Sequence, residues 1–225
     1  MEDFNFLRDY DACLEEARQF EEDVHILVLG TLSAAQAHWR GRLDHELPAL
    51  EAAIKQAEGE YAEHLVDEHT DELARYGEQV RFSLNSAVVS LVTLFVDTVR
   101  RMYCHLDISM PRQPGRYPGK GELARLRSEA LGRFGIDAEE WDARMAFIEP
   151  FVLARNLIVH NGGEADKELL DGTKDEDFRY RNPEWVDRDG RVAVPETAVN
   201  DHVQRATDVV RWMASALRQR ELQTQ

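Results

Sequence analysis

Cysteine is scarce in this chain, with only Cys13 and Cys104 among 225 residues. Two thiols make no disulfide framework, and no Cys-x-x-Cys spacing offers a metal or redox pair, so a reducing compartment is expected. Long apolar runs are also missing. The two longest, "VHILVLGTL" and "SAVVSLVTLFV", are about half of the ~20 residues that span a bilayer. The acidic start "MEDFNFLRDYD" has no basic stretch leading into an apolar one, unlike a secretory signal. No repeat or low-complexity tract stands out. A soluble, cytoplasmic protein without membrane contact is the expectation, and 225 residues suffice for one well-packed domain with an extension.

Positive charge is scarce too, and the formal net charge is −16. That total argues against a nucleic-acid partner until its distribution is considered. Residues 1–80 carry 6 Lys and Arg against 20 Asp and Glu, whereas residues 81–135 carry 9 against 4. Attraction of phosphate is set by the local field, so the basic middle leaves that partner open.

What is present is mostly helical pattern. From about Asp9 to Ala37, Leu14, Ala17, Val24, Leu27 and Val28 recur near helical spacing. A second amphipathic stretch runs from about Leu43 to Val66. A long third helix is predicted from Thr70 to Leu106, almost wholly apolar between Ala87 and Val96 and therefore central in a bundle. "SMPRQPGRYPGKGE", with Pro111, Pro114 and Pro118 among glycines, reads as a loop carrying Arg112, Arg116 and Lys120. A helix from Glu122 to Phe134 follows. The next opens with Asp137 as its cap and restarts or kinks at Pro150. Asp189-Gly190 lies between two short strand-like arms, which predicts a small β-hairpin near Trp185 to Val194, before a last helix from Glu196 to Leu222. The expected fold is an all-α bundle: an acidic helical extension over 1–69, then a helical domain over 70–225.

One helix ends unusually, in "FVLARNLIVHNGGE". Its apolar residues need neither a cation nor a titratable ring in order to pack. Asn156 and His160 fall one turn apart, and Arg155 sits about 140° around the helix from His160. Gly162 and Gly163 supply the left-handed ending that puts His160 in the last turn, where the helix dipole favours an imidazolium. Arginine offers a forked donor for phosphate, histidine exchanges a proton near neutral pH, and asparagine orients ring or substrate. Together they suit RNA cleavage, where the 2′-hydroxyl is its own nucleophile and no metal is required. Arg40 with His45 and Arg100 with His105 show the same separation, so context distinguishes the third pair. The plain alternative is that Arg155 pairs with an acidic neighbour and His160 only caps the helix.

"RNLIVHNGG" resembles the signature of the HEPN superfamily, in which Arg and a polar residue precede His near the end of a bundle helix. The helix order over roughly 70–222 is similar as well. The resemblance implies a HEPN-like helical bundle, often a homodimer, whose paired motifs form a metal-independent endoribonuclease site that needs no cofactor. It implies Arg155 on the scissile phosphate, Asn156 as the polar residue after it, and His160 in proton transfer, with Asn161 next to the motif as a further substrate contact. Many relatives are toxins or antiviral effectors held by an antitoxin or defence partner, and others are inactive scaffolds that bind a nucleotide or a protein. Gly162 stands where partner-controlled members often have tyrosine, a departure from that form.

Other groups carry weaker signals. His64, Glu68 and His69 have one spacer residue too many for the zinc motif His-x-x-Glu-His and read as a solvated face. Asp97, Arg100 and Arg101 either line a substrate site or form internal salt bridges. Arg116 and Lys120 are candidate phosphate contacts, although "GRYPGKGE" has no Ser or Thr after the lysine and no preceding strand, as a phosphate loop requires. Trp141 and Trp212 read as core or interface anchors.

Overall fold

The computed structural model describes residues 3–106, 121–165, 178 and 182–224. α1 (Asp3–Asp23) runs through a π-helical stretch (Val24–Gly30) directly into α2 (Thr31–Gln56), since Asp23 and Gly30 both keep right-handed helical dihedrals. The chain then reverses at Gly59, whose φ of 62° is a conformation that glycine adopts at little cost. α3 (Glu60–Leu106) returns as a helix of 47 residues. The break therefore falls at 57–59, while the expected gaps near residues 38–42 and 67–69 are helical. Pro48 lies inside α2 without ending it.

α3 is the axis of the bundle. Leu84, Val88, Leu91, Phe95, Val99 and Met102 recur every three or four residues and are buried. Phe20 and Val24 pack on this stripe from the first helix, joined in one cluster by Phe151, Ala154 and Leu157 and by Val210 and Met213. Phe20 meets Phe95 edge to face, with ring centres 6.4 Å apart. Ion pairs reinforce the seam, for Glu16 takes both Arg101 at 2.6 Å and His105 at 3.0 Å, and Glu21 takes Arg211 at 2.7 Å. The N-terminal helical extension thus packs its residues Cys13 to Leu32 into the core of the bundle, and residue 69, its expected limit, lies within α3.

Between Leu32 and Leu84 only Leu65 is fully buried. This stretch is a two-helix arm along which Arg42 lies over Trp39, 5.2 Å from the ring centre, and bonds Glu46 at 2.7 Å and Glu72 at 3.2 Å. The apolar part of α3 includes an 18-residue window, of hydropathy 1.6, long and apolar enough to cross a membrane, and half of that window is buried inside the protein. From Ala87 to Val99 only Thr93 and Asp97 are exposed, so this apolar surface faces the bundle core.

The shorter elements follow the local signals. α4 (Glu122–Phe134) ends at Gly135 with φ 59°, and the Ile136 N–H closes back on the Ala130 carbonyl at 3.0 Å. Asp137 caps α5 (Ala138–Met145) by accepting the Glu140 N–H at 3.0 Å. Pro150 sits in the first turn of α6 (Glu149–Asn161), where its missing N–H costs nothing. The expected hairpin is reduced to one antiparallel bridge, Val186 with Val192, turning at Gly190. Its residues bond the end of α6 as well, the Val192 N–H to Gly163 O at 2.7 Å and the Ala165 N–H to Gly190 O at 2.9 Å. α7 (Glu196–Thr224) completes the bundle. The proline-rich loop, up to Lys120, and most of the acidic loop before Asn182 lie outside the described residues.

Candidate functional site

α6 is positioned by its apolar side. Phe151, Ala154 and Leu157 are buried against the core. Behind them His202 of α7 stacks on Phe151, with ring centres 3.8 Å apart and planes 13° from parallel. Its Nδ1–H donates to the Ala198 carbonyl at 2.7 Å, and burial pushes the ring's pKa below the usual 6.5. Gly162 ends the helix at φ 63°, and the Gly163 N–H donates to the Leu157 carbonyl at 3.0 Å. Glycine backbone therefore closes this helix, and His160 is not needed as its cap.

The opposite side of α6 carries the polar motif. Arg155 donates from Nη1 to Asn156 Oδ1 at 2.9 Å, while its Nε is buried and has no hydrogen-bond partner among the described residues. It has no acidic partner among the described residues either. His160 is exposed, as is Val159 at 49%. Helical geometry spreads these groups over an outward arc, with Arg155 at one edge, Val159 and Asn156 between, and His160 about 140° away. Among the described residues no hydrogen bond joins His160 to Arg155 or Asn156, so within one chain the two expected site residues, Arg155 and His160, are not brought together. Asn161 is half-buried at the end of α6, and its carbonyl accepts the Glu164 N–H at 3.2 Å.

Beside the Arg155 edge runs an open groove of about 680 Å³, between the stretch Glu78 to Ser90 of α3 and Ile158, Gly162 and Gly163 of α6. Phe82 stands in it 73% exposed. Gln79 Oε1 and Asn85 Oδ1 are buried without hydrogen-bond partners among the described residues. Asn85 Nδ2 donates to the Val192 carbonyl at 3.3 Å, and Arg81 pairs with Asp187 at 3.0 Å, tying the hairpin to α3. For Asp187, burial opposes ionisation, but bonds from the Arg191 and Asp189 backbone and from Arg81 outweigh it and hold the carboxyl below its usual 3.8. Glu78, Glu164 and Asp189 border the neighbouring surface with Arg191, so the field around the site is mixed in sign.

The remaining candidates lie elsewhere. Arg100 pairs with Glu122 at 2.9 Å and Arg101 with Glu16 at 2.6 Å, roughly 20 Å along α3 from the groove at 1.5 Å per residue. Arg116 and Lys120 lie outside the described residues. His69 faces Glu51 at 3.8 Å, and among the described residues no group of three or more His, Cys, Asp and Glu is placed to hold a metal ion. Trp141 is core, whereas Trp212 is half-buried and donates to Glu140 at 2.8 Å.

The groove residues were missed by the sequence reading, which absorbed "QVRFSLNS" into the polar start of the long helix. One signal was present, because Phe82 lies about 160° around α3 from Leu84, on the polar side of the stripe.

The chain is an all-α helical bundle in which α6 holds Arg155 and Asn156 half-buried and His160 exposed. Comparison of the chain with known protein families, curated proteins and solved structures finds no match.

Proposed function

We propose that the chain is a cytoplasmic, HEPN-like, metal-independent endoribonuclease of a defence or toxin-antitoxin type, working as a homodimer. The observation that carries this reading is the face of α6 away from the core, on which Arg155, half-buried and bonded to Asn156, and exposed His160 are held on one helix outside its apolar stripe. A second α6 brought across that face by a two-fold axis would set His160 of one copy toward Arg155 of the other.

In the proposed reaction the RNA 2′-oxygen bonds to phosphorus and its proton leaves to a neutral imidazole, while the bond from phosphorus to the 5′-oxygen breaks. The leaving 5′-oxygen takes a proton from an imidazolium, and the product is a 2′,3′-cyclic phosphate. Arg155 stabilises the charge that gathers on the phosphoryl oxygens. Proton transfer and charge stabilisation of this kind are each worth about 10²-fold or more.

The decisive experiment is an RNase assay on single-stranded RNA with EDTA present. Wild type should cleave and leave cyclic phosphate ends, and Arg155→Ala and His160→Ala should each lose about 10²-fold or more while staying folded. Cleavage that survives in both variants, or that needs added Mg²⁺, rules the mechanism out. The acids bordering the groove favour the second reading, a catalytically silent HEPN-like dimer that binds a nucleotide or a protein, and a folded, inactive wild type would select it.

A further inference from the structure

We infer that the groove between α3 and α6 is a nucleobase subsite, in which Phe82 stacks on a base of single-stranded RNA next to the phosphate held by Arg155. The assignment of that phosphate rests on the nuclease reading above, and the groove's own features carry the rest. Phe82 is 73% exposed, and its ring stands free of the core stripe of α3 at the wall of the groove. Any base can stack on such a ring, because every base has a π-face.

The polar groups beside it point to the same class of ligand. Gln79 Oε1 and Asn85 Oδ1 are buried acceptors without partners among the described residues. Asn85 cannot turn its amide over without losing the bond from Nδ2 to Val192 O, so its oxygen remains an acceptor. Both oxygens sit on side chains that line the groove and are closed to solvent as those side chains stand. A side-chain movement that opens either one would let it take an N–H donor, which the exocyclic amines and ring N–H groups of bases supply. Ser86 and Ser90 line the same face with small side chains. Nothing lies within 4 Å of where a Cβ would stand on Gly162, so that end is open for the RNA strand.

The register also fits. Phe147 packs on Phe95 while Ile158 faces the earlier part of α3, so the two helices run antiparallel. Arg155, Ile158 and Gly162 fall within about 60° on α6, which turns Arg155 toward the groove. It lies one turn, about 5 Å along the helix, from Ile158, which lines the groove. Glu78 is at the opposite end, away from where the phosphate would sit.

The test is fluorescence anisotropy with a labelled single-stranded 2′-O-methyl RNA, which lacks the nucleophile and cannot be cut, run at one fixed salt concentration. Phe82→Ala should weaken binding roughly tenfold or more, Phe82→Trp should restore it, and sedimentation of both variants should match wild type. Unchanged affinity in Phe82→Ala, or no binding by wild type, overturns the subsite. A changed sedimentation coefficient in Phe82→Ala also overturns it and assigns the face to a second copy of the chain. Cleavage assays separate the two readings. Wild-type and Phe82→Ala proteins that cut RNA equally refute the subsite alone, whereas Phe82-dependent binding by a wild type that never cuts refutes the nuclease alone.

Discussion

At the scale of single residues, the physics of α6 rests on what lies behind it. His202 is wedged among Phe147, Phe151 and Trp185, with Asp201 and Arg205 as the charged groups that act on it. In the unfolded chain its ring titrates near 6.5, and burial lowers that value in the native state. Between the two values the unfolded chain binds a proton that the native one refuses, so stability is complete above 6.5 and declines as pH falls through this window. Thermal melts from pH 7 to pH 5 should show this decline. His202→Phe, neutral throughout, should show a smaller decline, and an identical profile for both proteins would refute the assignment. The sequence offered no sign of this histidine's role, because its aromatic neighbours come from α6, from the turn before it and from the hairpin.

At the scale of elements, the motif depends on a helix ending built from glycine. Gly162 at φ 63° holds a conformation that costs an L-residue roughly 1–2 kcal/mol. Gly162→Ala should therefore destabilise the protein by about that amount in denaturant titration, although a Cβ would have open space around it. The same replacement at Gly77, inside α3 with a similarly open surround, should instead be neutral or stabilising. Equal losses at the two positions would show that the left-handed ending is not what matters. These local features were legible in advance. Gly135, Asp137, Pro150 and Gly162 each act through their own backbone or a bond within four to six residues, so they read the same in sequence and in structure. The break between the long helices falls at 57–59, where Ala57 is extended and Gly59 left-handed, because charge and apolar pattern continue through residues 38–42 and 67–69 and leave only that short stretch to carry the reversal.

At the scale of the whole molecule, half-buried Arg155 and exposed His160 lie about 140° apart around α6, and the cleavage proposed above needs them together. The proposal therefore requires two copies. Sedimentation at micromolar concentration should give a dimer, and Val159→Glu, placed between the two groups, should shift it toward monomer and lower cleavage in parallel. A monomeric wild type that cuts RNA would refute the shared site. The net charge of −16 works against association, so the dimer should tighten as salt rises.

The sequence by itself determined that the chain is helical, where most of its short helices start and stop, and that α6 carries Arg155, Asn156 and His160 away from its apolar side. Periodicity and capping are local, and each acts within about two turns of chain. Tertiary structure alone decided that α1 belongs to the core through Phe20 and Phe95, that Arg100 and Arg101 are engaged by Glu122 and Glu16, and that Phe82, Gln79 and Asn85 border a groove beside the motif. Those outcomes depend on which faces of distant helices meet, and no spacing within one helix encodes its partner.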